Sequence, residues 1–117
     1  MESIKSNRDF VKIYREGKSY ANKLLVMYAV PSLTGGEGRI GISVSKKVGN
    51  SVVRHRVKRL IRESYRLNYK RFQNGYDIIV IARNTAKDKG YSDIEGALLH
   101  LARLHRLLRP VDGESLN

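Results

Sequence analysis

Four consecutive β-branched residues, Ile78-Ile79-Val80-Ile81, constrain the fold more than any other stretch of this chain. A strand wetted on one face alternates apolar and polar side chains, whereas a continuous apolar run needs both faces covered. Tyr76 to Ala82 is therefore expected to be a central strand with packed layers on each side. Arg39 to Lys46 shows the other pattern: Ile40, Ile42 and Val44 point one way and Gly41, Ser43 and Ser45 the other, as in a half-buried strand. Tyr20 to Val30 reads as extended chain rich in Leu, Val and aromatic residues, and Pro31 with Gly35, Gly36 and Gly38 marks a loop.

Helical periodicity accounts for the rest. Ser6, Asp9 and the apolar positions Phe10, Ile13 and Tyr14 predict a first helix capped by Ser6 and stopped at Gly17. After Gly49 and Asn50, a helix capped by Ser51 is expected to run to about Phe72, where Asn74 and Gly75 end it. Ser92 and Glu95 have capping-box spacing for a last helix with the stripe Ile94, Ala97, Leu98, Leu101, Leu104 and Leu108, closed by Pro110. The order helix, strands, helix, strand, helix is that of an α+β sandwich. A chain of 117 residues, 41% of them hydrophobic, suits one modest core. We expect a single domain over 1–117, with an ordered core of about 7–109 and a flexible tail at 110–117.

Charge narrows the function. Lys and Arg number 23 against 11 Asp and Glu, a net +12. Such a surplus opposes compaction by self-repulsion and points to an anionic partner, nucleic acid foremost. The absence of cysteine excludes disulfides, thiolate zinc sites and a cysteine nucleophile. The longest apolar run, Leu24 to Val30, is too short to span a bilayer, and MESIKSNRDF lacks the apolar core of a signal peptide. A cytoplasmic protein without a membrane partner is expected.

No chemistry-bearing constellation stands out. Neither GISVSKKVGNS nor the Gly35 to Gly38 loop fits the phosphate-cradling G-x-x-x-x-G-K-[ST] pattern. His100 and His105, five residues apart, turn away from a shared helical face, and no carboxylate pattern completes a metal site. We therefore expect no catalytic residue, no protein-held metal and no small-molecule substrate.

The middle helix carries the charge. At about 100° per residue and with Arg54 at zero, Lys58, Arg62, His55, Arg66 and Arg59 fall within roughly 140°, with Arg56 near 200°. The opposite arc holds Leu67, Leu60, Val53, Ser64, Val57, Asn68 and Ile61. An ordinary solvated face mixes signs, because like charges at i,i+4 weaken a helix. Between Lys46 and Arg71 stand ten basic residues and one acid, Glu63, which is nine of the net +12. Arg54 and Arg56 also oppose the macrodipole, so a polyanion docked here, near the N–H groups of Ser51 to Arg54, would relieve both strains. Six arginines to two lysines from Arg54 to Arg71 favour bidentate phosphate contacts. Phe10, Tyr14 and Tyr28 can be core packing or a platform for unpaired bases, and spacing alone leaves both open.

The blocks RDFVKIYREGKSYANKLLVMYAV, GISVSKKVGNSVVRHRVKRLIRESYR and DIIVIARNTA occur in the order and with the spacing of the bacterial ribonuclease P protein family, which residues 7–109 resemble. The family signature on the basic helix is Arg-Asn-Arg. Here Arg54, His55 and Arg56 occupy it, so the middle residue departs.

The resemblance implies a ribonucleoprotein that removes the 5′ leader of precursor tRNA. Its catalytic centre lies in the RNA subunit and uses Mg²⁺ held mainly by RNA. It implies contacts to the ribonuclease P RNA through Arg54, His55, Arg56, Lys58, Arg59, Arg62 and Arg66, with Lys46 and Lys47 bordering that side. A leader cleft would form at Phe10, Tyr14 and Tyr28. The implied fold is a four-stranded mixed sheet with three helices in αβββαβα order and a left-handed βαβ crossover, where handedness rules alone favour a right-handed one. A structural RNA-binding protein, such as a ribosomal protein, is the alternative that shares the cationic face.

Overall fold

Tyr76–Ala82 is the middle strand of a mixed sheet, flanked on both edges and covered on both faces. The structure, a computed structural model, describes residues 2–110. In chain order the elements are β1 (Glu2–Ser3), α1 (Asn7–Glu16), β2 (Lys18–Ala21), β3 (Leu25–Pro31), β4 (Arg39–Ser43), α2 (Ser51–Asn68), β5 (Tyr76–Ala82) and α3 (Tyr91–Leu104). Short 3-10 turns lie at Tyr69–Arg71 and Asn84–Ala86. The sheet order is β1-β4-β5-β3-β2. β5 runs antiparallel to β3 and parallel to β4, and α2 lies in the crossover that a parallel pair requires.

The α+β class, the three helices and the mixed sheet match expectation, but the sheet has five strands rather than four. The addition is β1, which pairs in parallel with β4 through Glu2↔Arg39 and Ser3↔Ile40. The Ile4 N–H extends the ladder to the Ile40 carbonyl at 2.8 Å, and the Ile4 side chain is buried. Two polar residues carry no hydrophobic period. Backbone pairing to an otherwise open edge and one apolar anchor hold this strand.

Alternation along β5 separates two cores. Ile78 and Val80 join Leu25, Met27 and Ile40 against Val57, Ile61 and Tyr65 of α2 and Ile94, Leu98 and Leu101 of α3. Ile79 joins Ile4, Ile13 and Val30 on the other face, with Phe10, Tyr28, Leu33 and Ile81 around them. The first face is covered by helices of 18 and 14 residues, the second by α1 alone, with 10. One short helix cannot cover the second face completely, and what it leaves open is the candidate site.

Several helix ends differ from expectation. Ser6 is the N-cap of α1 but makes no side-chain capping bond. Gly17 ends that helix in extended backbone, because a Cβ there would stand 2.6 Å from the Ile13 carbonyl oxygen, not because it adopts a left-handed turn. α2 is capped by Asn50 rather than Ser51: the Asn50 side chain accepts from Val53 N–H at 3.0 Å. It ends at Asn68, and the 3-10 turn completes the distance to Phe72.

The Ser92–Glu95 capping box does not form. Gly90 is the N-cap of α3, and Glu95 instead accepts from Asn68 Nδ2 at 2.8 Å and Tyr91 Oη at 2.9 Å, tying α3 to α2. α3 stops at Leu104, which is exposed; Arg106 turns left-handed at φ 59°, and buried Leu107 takes the core place expected of the stripe's end. Leu108 lies beyond the helix, bridged to Phe72. The expected tail 110–117 falls, apart from Pro110, outside the described residues.

Candidate nucleic-acid interface

Residues directly opposite on paired strands share a face. Gly41 of β4 and Tyr28 of β3 both pair with Ile79 of β5, so the row Gly41–Ile79–Tyr28 crosses three strands beneath α1. Phe10 and Tyr14 of α1 lie over its two ends. Phe10 rests on Gly41, where any Cβ would meet the ring at 2.6 Å. Tyr14 meets Tyr28 edge-on with centroids 5.1 Å apart, and Phe10 and Tyr14 lie 6.1 Å apart and tilted.

The rings are therefore neither fully core nor fully free. Phe10 and Tyr28 are half-buried and Tyr14 is 38% exposed. Burial pushes the Tyr14 phenol above its ordinary value, partly offset by the Ser43 hydroxyl, which keeps it a neutral hydrogen-bonding group near pH 7.

A buried polar network fastens α1 beside this row. Asp77 is completely buried at the head of β5 and accepts from Leu33 N–H at 3.1 Å, Arg39 N–H at 3.1 Å and Arg39 Nη2 at 2.7 Å. The same guanidinium donates from Nη1 to Asp9 of α1 at 3.1 Å. Its bonds to Asp77 and Asp9 raise the Arg39 pKa further, so it stays charged.

The predicted basic residues divide by surroundings. Lys46 and Lys47 are exposed in the turn before α2, and His55, Lys58, Arg59, Arg62 and Arg66 are exposed along it. Arg66 donates from Nε to Glu63 at 3.0 Å, so its charge is partly matched, and the guanidinium holds the Glu63 carboxyl below its usual range. Arg56, expected among the RNA contacts, turns the other way and donates to the carbonyls of Lys87 at 3.3 Å and Lys89 at 2.6 Å. Arg54 is half-buried, and its Nε is shielded without a hydrogen-bond partner. At the helix start, Val53 N–H is taken by the Asn50 side chain and Arg54 N–H by the Asn50 carbonyl. The anion site expected there is thus reduced to Ser51 and Val52.

The two sets meet in a groove of about 180 Å³, lined by Ser3, Ile4, Phe10, Ile40, Gly41, Ile42, Lys58 and Arg62. Aromatic, backbone and cationic surfaces follow one another across it, from α1 over the edge of β4 to α2. Stacking surface beside phosphate-binding cations is the pairing that single-stranded nucleic acid requires.

The family model described as Ribonuclease P matches residues 1–106. This chain belongs to the ribonuclease P protein family. The ribonuclease P protein component of Lachnoclostridium phytofermentans is 55% identical over 107 residues, which are 92% of this chain and 91% of that protein. The component from Clostridium novyi is 53% identical over 103 residues, covering 87% and 91%. Among solved structures, the Staphylococcus aureus RNase P protein aligns with TM-score 0.85 at 39% identity, over 93% of this chain and 99% of that one. The Thermotoga maritima RNase P protein aligns with TM-score 0.79 at 31% identity, over 88% and 97%.

Within the ribonuclease P frame, the structure brings Phe10, Tyr14 and Tyr28 together and sets Lys58 and Arg62 beside Phe10, while Arg56 faces the loop before α3. Asp9, Arg39 and Asp77 were not anticipated. Gly41 offered a signal, since a glycine inside a strand often marks a close approach. The Arg39 network offered none, because pairing across 38 residues leaves no period in the sequence.

Proposed function

We propose that the chain, as the protein component of ribonuclease P, binds the catalytic RNA through α2 and holds the 5′ leader of precursor tRNA along the Phe10–Tyr14–Tyr28 row. In this reading it assists the endonucleolytic removal of that leader. Arg54, His55, Lys58, Arg59, Arg62 and Arg66, with Lys46 and Lys47, form the ribonuclease P RNA side, and Arg56, whose guanidinium is held by the Lys87 and Lys89 carbonyls, joins it only on release from them. Arginine forks engage backbone phosphates there in pairs of parallel bonds. His55 stands where the family has Asn and can likewise donate and accept. Carrying this reading is the groove in which Phe10 lies beside Lys58 and Arg62, so that a base and its phosphate can be held together.

The protein's contribution is binding and orientation. Bond cleavage belongs to the RNA subunit, with Mg²⁺ held mainly by that RNA. The α2 surface presents guanidinium and ammonium groups, and among the described residues no group of three or more His, Asp or Glu could hold a metal ion. No described helix is long and apolar enough to cross a membrane, and we place the protein in the cytoplasm with its tRNA substrate. In the same reading the β4-α2-β5 crossover, which joins two parallel strands, would have the left hand that the resemblance implies.

The test uses the holoenzyme reconstituted with its cognate RNA subunit. Phe10→Ala and Tyr14→Ala are each expected to weaken binding of leader-bearing precursor by about 5- to 100-fold, the range for losing one base stack. Binding of mature tRNA and of the RNA subunit should be nearly unchanged. Equal loss for the RNA subunit would reduce the rings to packing, and no loss at all would remove the leader from this row.

A further inference from the structure

We propose that Arg39 is a positioning residue for substrate discrimination, setting the aromatic platform through its bond to Asp9. The inference rests on the leader-binding reading and adds to it what holds the platform in place.

The geometry carries the assignment. α1 is a single short helix on a face it does not fill, and its apolar anchor in the core is Ile13. Phe10 rests on Gly41 and packs against the small Ile4–Ile13–Val30–Ile79 cluster, and Tyr14 meets the sheet at the Tyr28 ring edge and the Ser43 hydroxyl, so the apolar contacts of α1 are few and tolerate sliding. A directional restraint comes from Asp9, one residue before Phe10, which accepts from Arg39 Nη1 at 3.1 Å. Arg39 is itself immobilised: its Nη2 lies 2.7 Å from the buried Asp77, its N–H donates to the same carboxylate, and its side chain is 12% exposed. A guanidinium held on one side and offered on the other transmits the rigidity of β5 to α1. The fork can serve two carboxylates at once; an ammonium, as a compact point charge, cannot reproduce that geometry.

The charges suggest which substitutions are informative. Removing Arg39 altogether would leave the Asp77 carboxylate buried without a counter-charge, and such a variant risks not folding. Asp9→Ala leaves the Arg39–Asp77 pair intact and cuts only the link to α1. Arg39→Lys keeps a positive charge for Asp77 while losing the fork. Both variants should fold.

The holoenzyme reconstituted with its cognate RNA is tested for three quantities: the affinity ratio of leader-bearing precursor to mature tRNA, the affinity for the RNA subunit, and thermal stability. Asp9→Ala and Arg39→Lys are expected to lower the ratio on the order of tenfold, the scale of coupling between contacting groups. Affinity for the RNA subunit should stay within about twofold, a difference of at most a few tenths of a kcal/mol. Adding Asp9→Ala to Phe10→Ala should cost little further, because Asp9 acts through Phe10. A full ratio in Asp9→Ala, while Phe10→Ala lowers it, overturns the positioning role and leaves the platform standing. Losses that multiply in the double variant, or that fall equally on the RNA subunit, also overturn it. A full ratio in Phe10→Ala itself would remove the platform reading.

Discussion

Phe10 occupies the space that a side chain on Gly41 would need: a Cβ at Gly41 would lie 2.6 Å from Phe10 Cζ and 3.1 Å from Cε1. Ring and backbone touch because β4 has no side chain at that point of its pleat. Gly41→Ala is therefore expected to lift Phe10 from the sheet. Overpacking of this kind costs about 1–3 kcal/mol, readable as a lower urea midpoint. Preference for leader-bearing precursor should fall with it. A variant as stable and as selective as the parent would show that Phe10 can swing aside freely.

Arg59 and Arg62 should differ from Arg66 in their effect on salt dependence. Removing one phosphate-binding cation reduces the slope of log affinity against log salt by roughly 0.7–0.9. Arg59→Ala and Arg62→Ala are expected to flatten the slope for the ribonuclease P RNA by about one such increment each. Arg66 is shared with Glu63, so Arg66→Ala should change it less. Three equal slopes would mean that the intrahelical pair opens without cost on binding.

Arg56 is engaged within the chain, at the carbonyls of Lys87 and Lys89. Arg56→Ala leaves both acceptors without it, and a loss of about 1–2 kcal/mol in unfolding free energy is expected. The corresponding measurement is chemical denaturation without RNA. Unchanged stability would assign Arg56 to RNA binding alone.

His105 makes folding sensitive to mild acid. Burial lowers its pKa, outweighing its hydrogen bond to the Met27 carbonyl at 2.8 Å, and nearby Lys18 lowers it further; Tyr20 packs edge-on against the ring. The unfolded chain therefore takes up the proton first, at about pH 6.5, so stability is full above that pH and declines as pH falls toward the lower folded value. His105→Gln, which can still donate to Met27, should abolish this part of the acid dependence. Melting temperatures of both proteins between pH 7.5 and 5.5, at about half-unit steps, would decide it.

Legibility followed the range of the interaction. The Ile78–Ile81 run identified β5 because burial on two faces writes itself into neighbouring residues, and the one-sided arginines of α2 did the same for the cationic surface. Cap positions slipped by a residue, Asn50 for Ser51, since several adjacent polar side chains can serve and packing chooses among them. β1 was invisible because backbone bonds to β4 hold it rather than a hydrophobic period. The Asp9–Arg39–Asp77 network was hidden for a related reason: charged residues look alike in a basic sequence until the fold removes some of them from water.

The burial of Asp77 also bears on how the chain reaches its fold. β5 cannot shed water from that carboxylate before Arg39, 38 residues earlier, lies alongside it, and the intervening α2 resists compaction through its own repulsion. Strand pairing over such a separation is slow, since loop closure precedes any reward. Refolding should accelerate when a short RNA neutralises α2, and stopped-flow traces with and without it would reveal a rate that is indifferent. The buried Asp77–Arg39 pair would then set when the sheet closes, and a chain refolding without a polyanion should spend longer before that step.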